Sequence, residues 1–183
     1  MQALVRPIAE HHALRELTRE GSVALHRGDA PIASADEFRR LLEASPLQPA
    51  RIVGARAAAP AVWWEILEHH PDLAVWVAAN RHIDEDVIAF LAAHPRLQVR
   101  VAVASNPCMS DEVMTRLAHD KSDLVRMRVA CNARATRGVL AHLVADACVV
   151  VSKHAEARLQ YDLNGIRLPA SYLDEVSMSD LLH

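Results

Sequence analysis

The chain has 183 residues, enough for one domain with a substantial core or for one elongated array of repeats. Hydrophobic residues make up 51% of it but aromatic residues only 4%, which favours close-packed helices of alanine, valine and leucine over an aromatic-rich β-sandwich. The net charge of −3 includes no polycationic run, which argues against sequence-independent nucleic-acid binding. The apolar runs are too short to cross a bilayer.

The N-terminus and the cysteines indicate the cellular setting. The opening sequence MQALVRPIAEHHALRE lacks the uninterrupted apolar stretch of a secretory signal. Cys108, Cys131 and Cys148 are odd in number and isolated in sequence, which is typical of small buried thiols in a reducing compartment. We therefore expect a cytoplasmic protein that does not bind membranes.

Residues 1–45 are predicted to form an N-terminal helical cap. The sequence AEHHALRELTREG indicates a helix with Gly21 as its C-cap, and SADEFRRLLEASP reads as a degenerate first repeat unit. Terminal units of a repeat array need a polar outer face, so these residues are expected to close one end of the array.

Residues 46–159 repeat with a period close to 26. The motif V-A-x-N ends at Asn80, Asn106 and Asn132, at intervals of 26 residues. A leucine near the end of each apolar run recurs at intervals of 24 to 26 residues: Leu42, Leu67, Leu91, Leu117 and Leu143. Agreement at independent positions indicates a repeat architecture in which each unit stacks on its neighbours.

Each unit is predicted to have two parts. The second is a helix, because Asp84, Ser110 and Thr136 are good N-caps at equivalent positions and apolar residues then recur four apart. The first part alternates at period two, as in Leu73-Val75-Val77, which would suit a short strand. The same segment also pairs apolar residues four apart and contains alanines, which are poor strand formers. Periodicity alone therefore allows either a strand or a helix for the first part.

The units VRVAVASNP…SDEVMTRLAHD and VRMRVACN…TRGVLAHLVAD resemble the leucine-rich repeat variant family over about residues 73–146, and 46–72 resembles it more weakly. In that family each unit is a helix beside a second, short helical segment, often of 3₁₀ type. The resemblance implies an all-α fold: a short right-handed α-solenoid of about five HEAT-like units with N- and C-terminal caps.

The resemblance also implies roles for particular residues. The motif arginines and asparagines are structural in the family, although by their chemistry alone they could read phosphates or form a recognition ladder. Here they correspond to Arg100, Arg126, Asn80, Asn106 and Asn132. In the first clear copy Ala74 replaces the arginine. The iron–sulfur cluster of one family member is not expected, because that cluster needs several closely spaced cysteines.

The sequence contains no catalytic or metal-binding motif. It lacks a phosphate-binding loop, a glycine-rich dinucleotide motif and a nucleophile elbow. Eleven histidines include two adjacent pairs, but adjacent residues do not share a helix face, and no zinc spacing occurs. We therefore expect no enzymatic activity, no cofactor and no metal.

Positions at which the units differ are candidates for binding a partner. The site two residues before A-x-N changes from Trp76 to Ala102 and then to Arg128, and such variation predicts an exposed face. The predicted partner-binding set combines this site with other tryptophans, the turns after the asparagines and an acidic C-terminal cap or tail at residues 160–183. Its members are Trp63, Trp76, Arg81, Arg128, Arg134, Asp174 and Glu175. For the tryptophans, core filling in irregular units is the alternative.

These features predict a non-enzymatic helical-repeat module that binds another protein, for example a bacterial protein that neutralises or adapts a toxin or effector. That example rests on analogy with other small proteins. The alternative is a nucleic-acid-binding solenoid that uses Arg100, Arg126, Arg128, Arg134 and Arg137. Residues 72–145 carry nine basic and eight acidic groups, which disfavours the large basic surface that this alternative needs.

Overall fold

The computed structural model describes residues 30–44, 54 and 56–163. In this part of the chain the structure is helical and has no β-strand, so the predicted all-α class is confirmed. Ile32 and Ala58 form one isolated parallel bridge. The helices, in chain order, are α1 Ala35–Glu43, α2 Pro60–His69, a 3₁₀ helix Pro71–Leu73, α3 Ala74–Ala78, α4 Glu85–Leu91, α5 Leu97–Ser105, α6 Asp111–Leu117, α7 Asp123–Cys131, α8 Arg137–Val144 and α9 Val149–Leu163.

The helix starts follow the predicted capping chemistry. Ser110 and Thr136 accept hydrogen bonds from the amides of Val113 and Val139, at 3.4 and 3.3 Å, and Asp84 is the N-cap of α4. The Ser110 and Thr136 side chains satisfy amides that have no partner inside the helix, whereas Asp84 makes no side-chain capping bond to α4. Each second helix therefore begins where the sequence predicts.

The first part of each unit is a helix. The segment beginning at Pro71 is a 3₁₀ turn that continues into α3, and the equivalent segments are α5 and α7. In α5 every residue from Val99 to Ala104 is buried. A helix that is buried on all sides does not show a single apolar stripe, which explains why its sequence also resembled an alternating strand.

The helices pack in the order of the chain and share one core. The first helices contact one another in succession, α3 with α5, α5 with α7 and α7 with α9, while α4, α6 and α8 lie beside them. Equivalent residues take equivalent places in this core: Val99, Val125 and Val151 in the first helices, and Leu91, Leu117 and Leu143 in the second. The period of 26 residues thus corresponds to a repeated packing arrangement.

Both predicted end regions, residues 1–45 and 160–183, lie partly within the described residues. Helix α1 packs on α2, with Phe38 and Trp63 in an edge-to-face contact at 5.8 Å between ring centroids. Helix α9 continues to Leu163, past the predicted boundary at residue 159. Asp174 and Glu175 lie outside the described residues. Among the helices that the structure describes, none is long and apolar enough to cross a membrane.

Candidate functional site

The motif asparagines form a ladder that joins consecutive units. Asn106 is buried, and its Nδ2 donates to the carbonyls of Ala78 and Asn80, both at 2.8 Å. Asn132 repeats this contact one unit later, with the carbonyls of Ala104 and Asn106 at 2.9 and 3.1 Å.

The asparagine Oδ1 atoms accept from the backbone two residues ahead. The donors are the amides of His82, Cys108 and Arg134, at 2.7 to 2.9 Å. Each side chain therefore shapes its own turn and satisfies carbonyls of the preceding unit.

The ladder ends at Arg158, which lies 26 residues after Asn132. Its guanidinium takes the place of the next asparagine and points to the carbonyls of Cys131, Asn132 and Ala133, at 3.3 to 3.4 Å. Because α9 continues through this position as a helix, the turn that would start another unit is missing here. Arg158 thus satisfies the last carbonyls of the ladder.

The motif arginines form a second set of contacts, each with an aspartate 20 residues later. Arg100 donates through Nε and Nη2 to Asp120, at 2.7 and 3.2 Å, and Arg126 contacts Asp146 in the same way at 2.7 and 3.0 Å. We call these contacts the Arg–Asp pairs. The paired arginines also donate to carbonyls at the end of the preceding unit, Arg100 to His94 at 2.9 Å. Each pair therefore joins two successive connections between units.

The aspartates have a second role. Asp120 and Asp146 accept through Oδ1 from the amides of Ser122 and Cys148, at 2.9 and 2.8 Å. The hydrogen bond from Arg126 holds the pKa of Asp146 below its usual range, and the same contact raises the pKa of Arg126. The pair of Arg126 and Asp146 is therefore ionised at neutral pH. Both pairs are bonded on several sides, as buried ions need to be.

The first clear copy replaces both members of the pair together. Ala74 stands where Arg100 and Arg126 stand, and His94 stands where the aspartates stand. His94 Nδ1 accepts from the amide of Arg96 at 3.1 Å, so its imidazole supplies the acceptor that Asp120 supplies elsewhere. Burial lowers the pKa of His94, and the charges of Arg96 and Arg100 lower it further. A neutral histidine thus replaces a carboxylate where no arginine is present to pair with it.

This substitution predicts that a third Arg–Asp pair can be installed. Ala74→Arg alone is expected to lower the free energy of unfolding by about 3 kcal/mol, because it buries a guanidinium without a carboxylate. Adding His94→Asp should recover most of that loss, with a coupling energy of about 2 kcal/mol in a urea-denaturation double-mutant cycle. His94→Asn, which keeps an acceptor but adds no charge, is the matched control and should recover little. Additive effects of Ala74→Arg and His94→Asp would contradict the equivalence of these positions.

Several predicted surface residues are in fact interior. Trp63 is 0% exposed and Arg128 only 8% exposed, and Ala102 at the same repeat position is 1% exposed. The prediction of an exposed face at the position of Trp76, Ala102 and Arg128 is therefore wrong for its last two members. Such variation does not require exposure, because close packing constrains the combined volume of neighbouring side chains and not each side chain separately.

The remaining predicted residues differ in exposure. Arg81 and Arg134 are exposed in the turns after Asn80 and Asn132, and Arg137 is exposed at the start of α8. Trp76 is partly exposed and packs against the edge of the core. The predicted partner-binding residues that reach the surface in the described structure are thus Trp76, Arg81 and Arg134.

Trp76 lies in a cleft near the start of the described chain. The cleft has a volume of about 440 Å³ and lies between the end of α1 and the start of α3. The described residues that line it are Arg39, Leu42, Glu43, Asp72, Leu73 and Trp76. We call it the Trp76 cleft. The sequence pattern predicts a role for the tryptophan but not for Arg39, Glu43 or Asp72, because periodicity does not show which side chains of α1 and of the 3₁₀ helix face each other.

The polar side chains outside these contacts form no metal site in the described residues. No group of three or more histidine, cysteine, aspartate or glutamate side chains there could hold a metal ion. His119 and His142 stack with their ring centroids 4.1 Å apart, so they meet through ring faces. The cysteines form no disulfide, and Cys108 is exposed, so the expectation of buried thiols is wrong for that residue.

Comparison with known proteins found no matching family model, curated protein or solved structure. The geometry separates two classes of residue: Asn106, Arg100 and their equivalents bond to neighbouring units, whereas Trp76, Arg81 and Arg134 reach the surface. The second class is the candidate functional surface.

Proposed function

We propose that this chain is a helical-repeat module, a short solenoid of about five units related to the leucine-rich repeat variant and HEAT types, that binds another protein. The serial packing of α3, α5, α7 and α9 supports the solenoid. The inter-unit bonds of the asparagines and Arg–Asp pairs support it further, because each unit completes the backbone hydrogen bonding of the one before it.

The observation that carries the binding role is the position of Trp76. A partly exposed indole in a cleft of about 440 Å³, flanked by charged side chains, provides a large apolar anchor at the surface. Tryptophan and arginine dominate the binding energy of many protein interfaces. Arg81 and Arg134 lie in equivalent exposed turns two units apart and would contribute to the rim.

We propose that the partner is a protein that this module neutralises or adapts, such as a bacterial toxin or effector. This choice follows analogy with small acidic proteins that lack catalytic motifs, and it fits a cytoplasmic location. Nucleic acid is not proposed. Of the five arginines considered for it, Arg100 and Arg126 are bonded to aspartates and Arg128 is buried, which leaves Arg134 and Arg137.

The test begins with capture of a partner from the source cells and reconstitution of the complex from purified proteins. Trp76→Ala is expected to raise the dissociation constant by about 30-fold or more, the effect of losing a central anchor. Glu68→Ala, an exposed change on α2, is the control and should alter it less than about twofold. Circular dichroism checks that both variants are folded. Equal affinity of Trp76→Ala and the unmodified chain would refute the proposed binding surface.

A further inference from the structure

The Trp76 cleft has an uneven distribution of charge. Glu43 and Asp72 are both exposed, and no hydrogen bond or ion pair engages either carboxylate within the part of the chain that the structure describes. Among the described lining residues the cation is Arg39, which is partly buried and contacts His70 Nδ1 through Nη2. Two carboxylates without a bonded partner among the described residues therefore line the cleft beside the guanidinium of Arg39.

The apolar lining complements these charges. Leu42 and Leu73 line the cleft together with the indole of Trp76, and Leu73 is buried. The face of an indole attracts a cation through its quadrupole, tryptophan more strongly than the other aromatic side chains. An anion would face both carboxylates, and a purely apolar group would leave them desolvated without a partner. The lining thus suits a group that combines positive charge with a flat or apolar surface.

We propose that the Trp76 cleft binds an arginine side chain of the partner protein, an inference that rests on the proposed function. A guanidinium is planar and weakly hydrated, stacks on aromatic rings and donates to two carboxylates at once. Stacking on Trp76 while donating to Glu43 and Asp72 would use the indole and both carboxylates that the described residues place in the lining. The ammonium of lysine lacks the flat face and is more strongly hydrated, so it fits this lining less well.

The first test uses small probes and the indole N–H signals of the three tryptophans in a ¹⁵N-labelled sample. Trp63 and Trp64 are buried and serve as internal references, and Trp76→Phe assigns the third signal. Methylguanidinium is expected to shift the Trp76 signal alone, with saturation in the millimolar range. Methylurea, its neutral counterpart of the same shape, should not shift it. Glu43→Gln with Asp72→Asn should weaken methylguanidinium binding by about fivefold or more.

Three outcomes of this titration would overturn the inference. The first is that methylguanidinium shifts no indole signal, or shifts it no more than methylurea does. The second is that the Glu43→Gln, Asp72→Asn variant binds methylguanidinium as well as the unmodified chain. The third is that n-butylammonium binds more tightly than methylguanidinium, which would favour lysine.

The second test separates this inference from the proposed function. If both hold, the captured partner loses affinity for Trp76→Ala and for the Glu43→Gln, Asp72→Asn variant. If Trp76→Ala weakens the complex and the charge variant does not, the arginine inference is refuted and the proposed function remains. If Trp76→Ala leaves the complex unchanged, the proposed binding surface is refuted whatever the small probes show.

Discussion

Replacing Arg100 with methionine is expected to lower the free energy of unfolding by about 3–5 kcal/mol, the usual cost of breaking a buried ion pair. The side chains of Arg100 and Asp120 are 7% and 8% exposed, so Asp120 would keep a buried charge without its partner. The carbonyls of His94 and Pro95, which accept from Arg100 at 2.9 and 3.1 Å, would lose a donor as well. Urea denaturation followed by circular dichroism measures the loss.

Two further variants identify the cause of that loss. Arg116→Met removes an exposed guanidinium whose Nη1 contacts the Ala89 carbonyl at 3.3 Å, and it should cost less than about 1 kcal/mol. Asp120→Asn combined with Arg100→Met removes the stranded charge but keeps an acceptor for the Ser122 amide, and it should recover part of the stability. If Arg100→Met costs no more than Arg116→Met, the Arg–Asp pairs do not hold the units together.

Replacing Asn106 with alanine is expected to lower the free energy of unfolding by about 2–4 kcal/mol. The change removes the donor to the carbonyls of Ala78 and Asn80 and the acceptor for the Cys108 amide. Leaving a buried polar group without a partner costs about 1–3 kcal/mol, and cavity formation adds to it. Urea denaturation again provides the measurement, in the same buffer as for Arg100→Met.

The neighbouring residue Ser105 offers a matched control. Its hydroxyl donates to the Val101 carbonyl inside the same helix, at 2.9 Å, and the residue is exposed. Ser105→Ala should therefore change the free energy of unfolding by about 0.5 kcal/mol or less. A comparable cost for Ser105→Ala and Asn106→Ala would mean that the bonds between units add nothing beyond the local helix.

Sequence patterns predicted the parts of the fold that depend on local chemistry. The N-caps at Ser110 and Thr136 and the bonds by which Asn80, Asn106 and Asn132 shape their own turns agree with the structure. These features involve side chains and a backbone turn only two or three residues away. Because the unit repeats, each local rule could be checked at equivalent positions.

The sequence contains a signal for the Arg–Asp pairs, but the repeat pattern alone does not reveal it. The aspartates at 120 and 146 stand at equivalent helix ends, where the helix dipole by itself favours a cation. The sequence signal for a pair is that both positions change together in the first clear copy. There Ala74 and His94 lie 20 residues apart, as Arg100 and Asp120 do. Periodicity shows which positions are equivalent, whereas pairing depends on how two helices cross.

The surface was harder to predict than the scaffold. Variation from Trp76 to Arg128 suggested exposure, yet Arg128 is buried and Trp76 is only partly exposed. The size of a buried side chain can differ from unit to unit if its neighbours differ in compensation, so a varying residue can still be interior. Arg39, Leu42 and Glu43, which line the Trp76 cleft, come from α1. This helix precedes the clear repeats, so the repeat pattern does not place its side chains.

Measuring both partner affinity and unfolding free energy for Trp76→Ala and for Arg100→Met distinguishes binding residues from structural ones. We predict opposite profiles: Trp76→Ala loses affinity with a smaller loss of stability, and Arg100→Met loses stability while the folded fraction keeps its affinity. If both variants lose affinity only in proportion to their loss of stability, the division into scaffold and binding residues is wrong.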